Sequence, residues 1–214
     1  MKHHLNVIVT LLLVTAAVRA ADEIKIACVG DSITYGAGVE DREKNSYPVV
    51  LGRLLGENYK SANFGVGGTT LLKKGNFPYW VQQAFKDADS FAPNIVVIML
   101  GTNDTKPENM KFKDEFATDL AALVDHFAAL PTKPKIFLCR PVPAYGVQWG
   151  INEQGLDEMV MPAIAQVAKD KGCTIIDMHA ALSGKPELFP DKIHPNAAGA
   201  ALMAKTVAGV ISGK

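Results

Sequence analysis

Several common signatures are missing from this chain, and each absence narrows what it does. It has only three cysteines, Cys28, Cys139 and Cys173, and none has the spacing of a metal site. No His/Cys/Asp cluster with ligand spacing is present either, which disfavours a metal hydrolase. There is no G-x-S-x-G, so an α/β-hydrolase elbow is excluded. There is no G-x-x-x-x-G-K-[ST], and Gly65-Val-Gly-Gly-Thr-Thr lacks the third glycine of G-x-G-x-x-G, which argues against a nucleotide-binding module. Charge of one sign is also missing. Lys+Arg and Asp+Glu both number 22 in 214 residues, so neither nucleic acid nor an anionic membrane surface is an expected partner. No repeat, low-complexity segment or interdomain linker interrupts the chain. No long insertion is available to build an acyl tunnel or a lid.

What remains is an ordinary globular composition, 48% hydrophobic and 21% charged, enough for one full core. The first twenty residues stand apart. Lys2 precedes an apolar run from Leu5 to Val18, followed by Val18-Arg19-Ala20. This is the pattern of a signal peptide cut after Ala20. As a helix the run of about 14 residues would span roughly 21 Å, short of a ~30 Å hydrocarbon layer, so no stable membrane anchor is expected. Loss of Lys2 and Arg19 would leave 20 basic and 22 acidic groups, a net charge of −2. The expected organisation is a leader over 1–20 and one domain over 21–214, with the protein exported to the periplasm or beyond. An exported chain with three cysteines keeps at least one free thiol, and a Cys139–Cys173 bridge is open if their strands are neighbours.

Five short apolar runs read as strands: Ile24–Val29, Tyr59–Phe64, Ile95–Leu100, Lys135–Cys139 and Thr174–Asp177. Most are rich in β-branched residues and barely alternate, as befits strands covered on both faces. Helical patterns lie between them. Ser46–Asn58 sets Val49, Val50, Leu54 and Leu55 on one side. Tyr79–Phe91 follows the second strand. In Lys111–Leu130, Phe112, Phe116, Leu120, Leu123 and Phe127 make one stripe. Asn152–Gly172 carries Pro162 as a kink or break. The last helix runs from Pro195 to Ile211, with Gly213 past its end. Alternating strands and helices predict an α/β fold: three α/β/α layers around a five-stranded parallel sheet in the flavodoxin-like order 2-1-3-4-5. Ligands of such sheets bind beyond the strands' carboxyl ends.

Those ends are GDSIT, GVGGTT, GTNDT, RPVPAYG and MHAAL. Ser32 closes the first strand behind Gly30 and Asp31. Gly68 belongs to a glycine-rich turn whose amides can face a ligand. Asn103 offers a side-chain amide of the kind that stabilises an oxyanion. His194 sits three residues after Asp191, close enough for the carboxylate to orient the imidazole. Each piece alone is ordinary turn or cap chemistry. His179, with Asp177 nearby, competes for the role of base, while His126 reads as a helix-face residue.

Together, in this chain order, VGDSIT, NFGVGG, GTND and DKIH resemble the SGNH (GDSL-type) hydrolases over nearly all of residues 24–211. The block reads Ile33 where the short family name has leucine. The resemblance implies the SGNH hydrolase fold and an acyl-enzyme esterase needing no cofactor or metal. Ser32 falls at the nucleophile position, His194 and Asp191 at the rest of the triad, and the Ser32 amide, Gly68 and Asn103 at the oxyanion hole. The wording of these blocks is similar to exported bacterial carbohydrate O-acetylesterases, so the implied substrate is an O-acetyl group on a glycan, of sialate or xylan type. A lysophospholipase, thioesterase or arylesterase acting on longer acyl chains is the alternative, and a carbohydrate-binding protein without catalysis is the non-enzyme one. Tyr35, Thr105, Arg140, Tyr145 and Trp149, in loops on the same edge, are the candidate substrate-binding residues.

Overall fold

The structure, a computed structural model, describes residues 23–213. The leader expected over residues 1–20 lies outside them. Five parallel strands form one sheet in the order β2-β1-β3-β4-β5, where β1 is Ile24–Gly30, β2 Tyr59–Gly65, β3 Ile95–Met99, β4 Lys135–Arg140 and β5 Thr174–Asp177. The order is the one the strand–helix alternation predicts. Residues of the inner strands alternate between two apolar layers. Ala27, Val29, Val96, Ile98, Ile136 and Leu138 face one core with Phe116, Leu120, Leu123 and Phe127. Ile26, Cys28, Val97, Met99, Phe137 and Cys139 face the other with Tyr47, Leu51, Met203 and Val207. Helices therefore cover both faces. That is why these strands show so little polar alternation.

Helix boundaries shift where local chemistry overrides periodicity. The first long helix spans Tyr47–Leu55 and buries Tyr47 and Leu51; Val49 and Val50 are half-buried and Leu54 is exposed. Val50 and Leu55 of the expected stripe pack against the core, but the deepest positions are Tyr47 and Leu51, which the stripe left out. The stripe of Phe116, Leu120, Leu123 and Phe127 is buried on the helix Phe116–Ala128, while Phe112 lies before its start. Pro162 cannot donate to a carbonyl four residues back. The chain answers with a π-helical turn over Leu156–Val160, then continues as a helix over Met161–Lys171. The last helix spans Ala197–Ser212. It begins after Pro195 because the Asn196 side chain accepts the Gly199 N–H and caps it.

All three cysteines are free. The β4–β5 register places Phe137 beside Thr174 and Cys139 beside Ile176. Cys173 is thus three residues out of step with Cys139, roughly 10 Å at ~3.3 Å per residue, beyond the reach of a disulfide. No helix among the described residues is long and apolar enough to cross a membrane.

Candidate active site

The five parallel strands end at one edge, and the loops that follow them build a cleft there. β1 stops at Gly30, where a Cβ would lie 2.0 Å from Thr34 Oγ1 and 2.6 Å from the Met99 carbonyl, so only glycine allows the turn. Asp31 then caps a single helical turn, Ser32–Tyr35, by accepting the Ile33 N–H at 2.9 Å. Ser32 is held at the first position of that turn with its side chain toward the cleft. Asp31 is buried, and desolvation pushes its carboxyl up to about 6. Its second oxygen and the nearby Thr102 hydroxyl are buried without a partner among the described residues.

The imidazole arrives from the loop before the last helix. Asp191 Oδ1 accepts the Ile193 N–H at 2.9 Å and the His194 N–H at 2.7 Å, while its Oδ2 lies 2.7 Å from His194 Nδ1. Lys192, at φ 73°, makes the left-handed step that closes this turn. Partial burial raises the Asp191 carboxyl, but the hydrogen bonds from His194 and Ile193 outweigh it and hold the group below its ordinary value. An ionised carboxylate only accepts, so the proton of a neutral imidazole sits on Nδ1. Nε2 is then an acceptor, and it lies 2.9 Å from Ser32 Oγ across 162 residues of sequence. The arrangement can draw the hydroxyl proton onto the ring as the oxygen attacks an electrophile.

Two further loops complete the wall. Gly68 has φ 82°, a left-handed conformation, and a Cβ there would find ordinary space, so backbone angle is the reason for glycine. Asn103 is 2% exposed; its Nδ2 donates to the Thr69 carbonyl at 3.1 Å and its own carbonyl accepts from Asn109. Asp104 ties the two loops together, accepting the Leu71 and Leu72 amides at 3.0 and 2.8 Å. It is buried and pushed up to about 7, first by desolvation. The resulting cleft measures about 200 Å³ and is lined by Ser32, Ala37, Gly68, Asn103, Lys106, Trp149, Ile151 and His194.

Of the five candidate substrate contacts, Trp149 lines this cleft, 60% exposed, with its ring 5.4 Å from that of His194. The other four are engaged elsewhere. Tyr35 stacks under the Arg42 guanidinium at 4.0 Å. Thr105 is fully buried, bonded to the Thr102 carbonyl and the Asn152 amide. Arg140 pairs with Asp177 at 2.6 Å. Tyr145 donates to the Leu182 carbonyl and packs on Phe189. Ala37, Lys106 and Ile151 line the cleft without having been expected there. Lys106 follows Thr105 and Ile151 lies two residues past Trp149, but their chemistry alone gives no signal.

The rival base is placed differently. His179 meets Glu153, not Asp177, whose carboxylate is taken by Arg140 and the Ala180 amide. Glu153, Asp157 and His179 bring ligand atoms within 4.8 Å of one another, a cluster that spacing along the chain does not reveal. Glu153 is already committed to His179 and the Ala144 amide. His126 pairs with Asp89 on the helix face.

Comparison with known proteins agrees with this architecture. Residues 28–202 match the GDSL-like lipase/acylhydrolase family. An acetylxylan esterase of Xylanibacter ruminicola is 42% identical over 208 residues; the match takes in 89% of this chain but 43% of that protein, so the chain spans less than half of its relative's length. Among solved structures, a carbohydrate acetylesterase from Sinorhizobium meliloti superposes with TM-score 0.74 at 19% identity, over 89% of this chain and 99% of the other. An aryl esterase from M. smegmatis gives 0.71 at 22%, with the same coverage. At such identities these two report the shared fold.

Proposed function

Because the chain belongs to the GDSL-like lipase/acylhydrolase family, we propose that it is a serine carboxylic ester hydrolase that removes O-acetyl groups from a carbohydrate. One observation carries the reading: the unbroken line from Asp191 through His194 to Ser32 Oγ, with spacings of 2.7 and 2.9 Å. Ser32 Oγ attacks the ester carbonyl while His194 Nε2 takes its proton. Asp191 holds the Nδ1–H and stabilises the imidazolium. The carbonyl oxygen becomes an oxyanion among the Ser32 and Gly68 amides and the Asn103 side-chain amide. Collapse expels the alcohol, protonated by His194, and leaves an acyl-Ser32. Water, deprotonated by the same imidazole, then attacks that ester and frees the acid and the serine.

Cleft size bears on the acyl preference. A cleft of about 200 Å³, walled by Ile151, Asn103 and Trp149, suits a short acyl group better than an eight-carbon chain. The exposed indole beside His194 offers an apolar platform for a sugar ring on the leaving side. The acetylxylan esterase relative supports the same substrate class. With the expected leader removed, the enzyme would meet such glycans outside the cytoplasm.

A fluorophosphonate probe should label wild type at Ser32 and leave Ser32→Ala unlabelled. On a p-nitrophenyl ester series, kcat/KM should fall steeply from acetate to octanoate. Equal or better rates at eight carbons would replace acetyl esters by longer acyl esters as the substrate.

A further inference from the structure

Two clefts open at the carboxyl edge, and a tight hairpin divides them. Gln148 and Ile151 pair across the turn, and its two central residues, Trp149 and Gly150, have φ of 52° and 82°. Positive φ at both centres marks a type I′ turn. For a tryptophan that backbone is strained. Nothing about turn formation calls for an indole here, so the strain points to what the indole does. The hairpin is also clamped. Asn152 donates through its amide and its side chain to Thr105 Oγ1 and carbonyl, at 3.2 and 3.0 Å. Gly150 lies so close over Pro107 that a Cβ would be 2.9 Å from Pro107 Cδ.

On one side of this divider lies the catalytic cleft, faced by Lys106, Trp149 and Ile151. On the other lies a larger one of about 480 Å³, faced by their chain neighbours Pro107, Gly150 and Asn152, together with Gly146, Val147 and Gln154. The two back onto the same hairpin, through Trp149 and Ile151 on one side and Gly150 and Asn152 on the other. The larger one has the mixed lining a sugar requires. Val147, 71% exposed, and Pro107 offer apolar surface to a ring face. The Gly146 and Val147 amides find no acceptor among the described residues. Gln154 is exposed and donates to Glu158 through Nε2, which leaves its Oε1 to accept from a hydroxyl.

We propose that this second cleft binds the sugar unit next to the acetylated one, so that the substrate is an acetylated oligosaccharide or polymer. The inference rests on the acetyl-glycan reading above. Trp149 supports the reacting sugar, and the chain continues over the hairpin into the Val147 side.

The test is a length series: kcat/KM for p-nitrophenyl acetate and for acetylated mono-, di- and trisaccharides of one sugar. Wild type should gain about tenfold or more from monosaccharide to trisaccharide. Val147→Arg, which fills the cleft from an exposed position, and Gln154→Ala, which removes the acceptor, should each shrink that ratio; thermal melting checks that both remain folded. A flat series, or a gain that survives both substitutions, overturns the second cleft while leaving the esterase reading intact. Turnover of the aryl ester with none of the sugars would overturn the carbohydrate reading and this inference with it.

Discussion

Two serines in this chain sit beside a histidine that is itself held by a carboxylate. Ser32 meets His194 and Asp191; Ser183 meets His179 and Glu153. By residue type the two trios are alike, but physically they differ in three ways. Ser32 Oγ is 2.9 Å from the imidazole nitrogen, whereas Ser183 Oγ is 3.5 Å away and already donates to the His179 carbonyl at 2.7 Å. A hydroxyl proton spent on a carbonyl is not offered to a base. Ser32 is nine-tenths buried beside a glycine turn and an asparagine amide, while Ser183 is exposed at the end of a short helix. An oxyanion forming at Ser183 would be left to water. An acid–histidine–serine line becomes a candidate nucleophile only with a free proton and a donor array.

The sharpest way to break this comparison is to remove each hydroxyl. Ser32→Ala should cost on the order of 10⁶ in kcat, and Ser183→Ala should leave ester hydrolysis at wild-type level. Activity surviving in Ser32→Ala but not in Ser183→Ala would reverse the assignment. The carboxylates come next. Asp191→Asn should lower kcat by about 10⁴-fold, because an amide can hold the wrong tautomer, with little loss of far-UV ellipticity. Glu153→Gln should change kcat less than about threefold, its effect appearing in thermal stability through the Ala144 contact. Asn103→Ala should cost about 10²–10³ in kcat, roughly 2.7–4 kcal/mol of barrier, with KM changed far less. A loss confined to melting temperature would make Asn103 a brace for the Thr69 carbonyl instead.

The smallest effect concerns two kinds of carboxyl. Burial holds Asp31 and Asp104 up to about 6 and about 7, whereas the hydrogen bonds of its loop hold Asp191 low. An unfolded carboxyl titrates near ~3.9. Between that value and about 7 the native state binds more protons than the unfolded one. Unfolding free energy should therefore fall as pH rises through this window and level off above it. The depressed group acts oppositely: its contribution is present above the unfolded pKa and lost as pH falls through the folded one. Urea titrations at several pH values between 4 and 8 should show a shallower decline for Asp104→Asn than for wild type. An unchanged slope would mean the buried carboxyl ionises freely in the fold.

Much of the architecture could be read before any coordinates. Strand burial, glycine turns, caps and a carboxylate three residues before a histidine are local patterns, and hydrogen-bond chemistry acts over a few residues. That is why the sheet order and the Asp191–His194 contact are legible in the sequence. Of the misread positions, Tyr35 is taken by the nearby Arg42, but the other three turn to distant partners. Arg140 turns to Asp177 and Tyr145 to Leu182, each 37 residues away, and both leave the cleft for it. Thr105 is spent on Asn152, 47 residues on.

From its sequence alone this protein had determined its layer order, its strand termini and the residue types gathered at one edge, because periodicity and turn chemistry belong to short segments. Tertiary structure decided which of those side chains face the cleft, that Glu153 and not Asp177 takes His179, and that a strained tryptophan hairpin parts two clefts. Each of these is a competition among groups far apart in the chain, and only packing brings the competitors within reach.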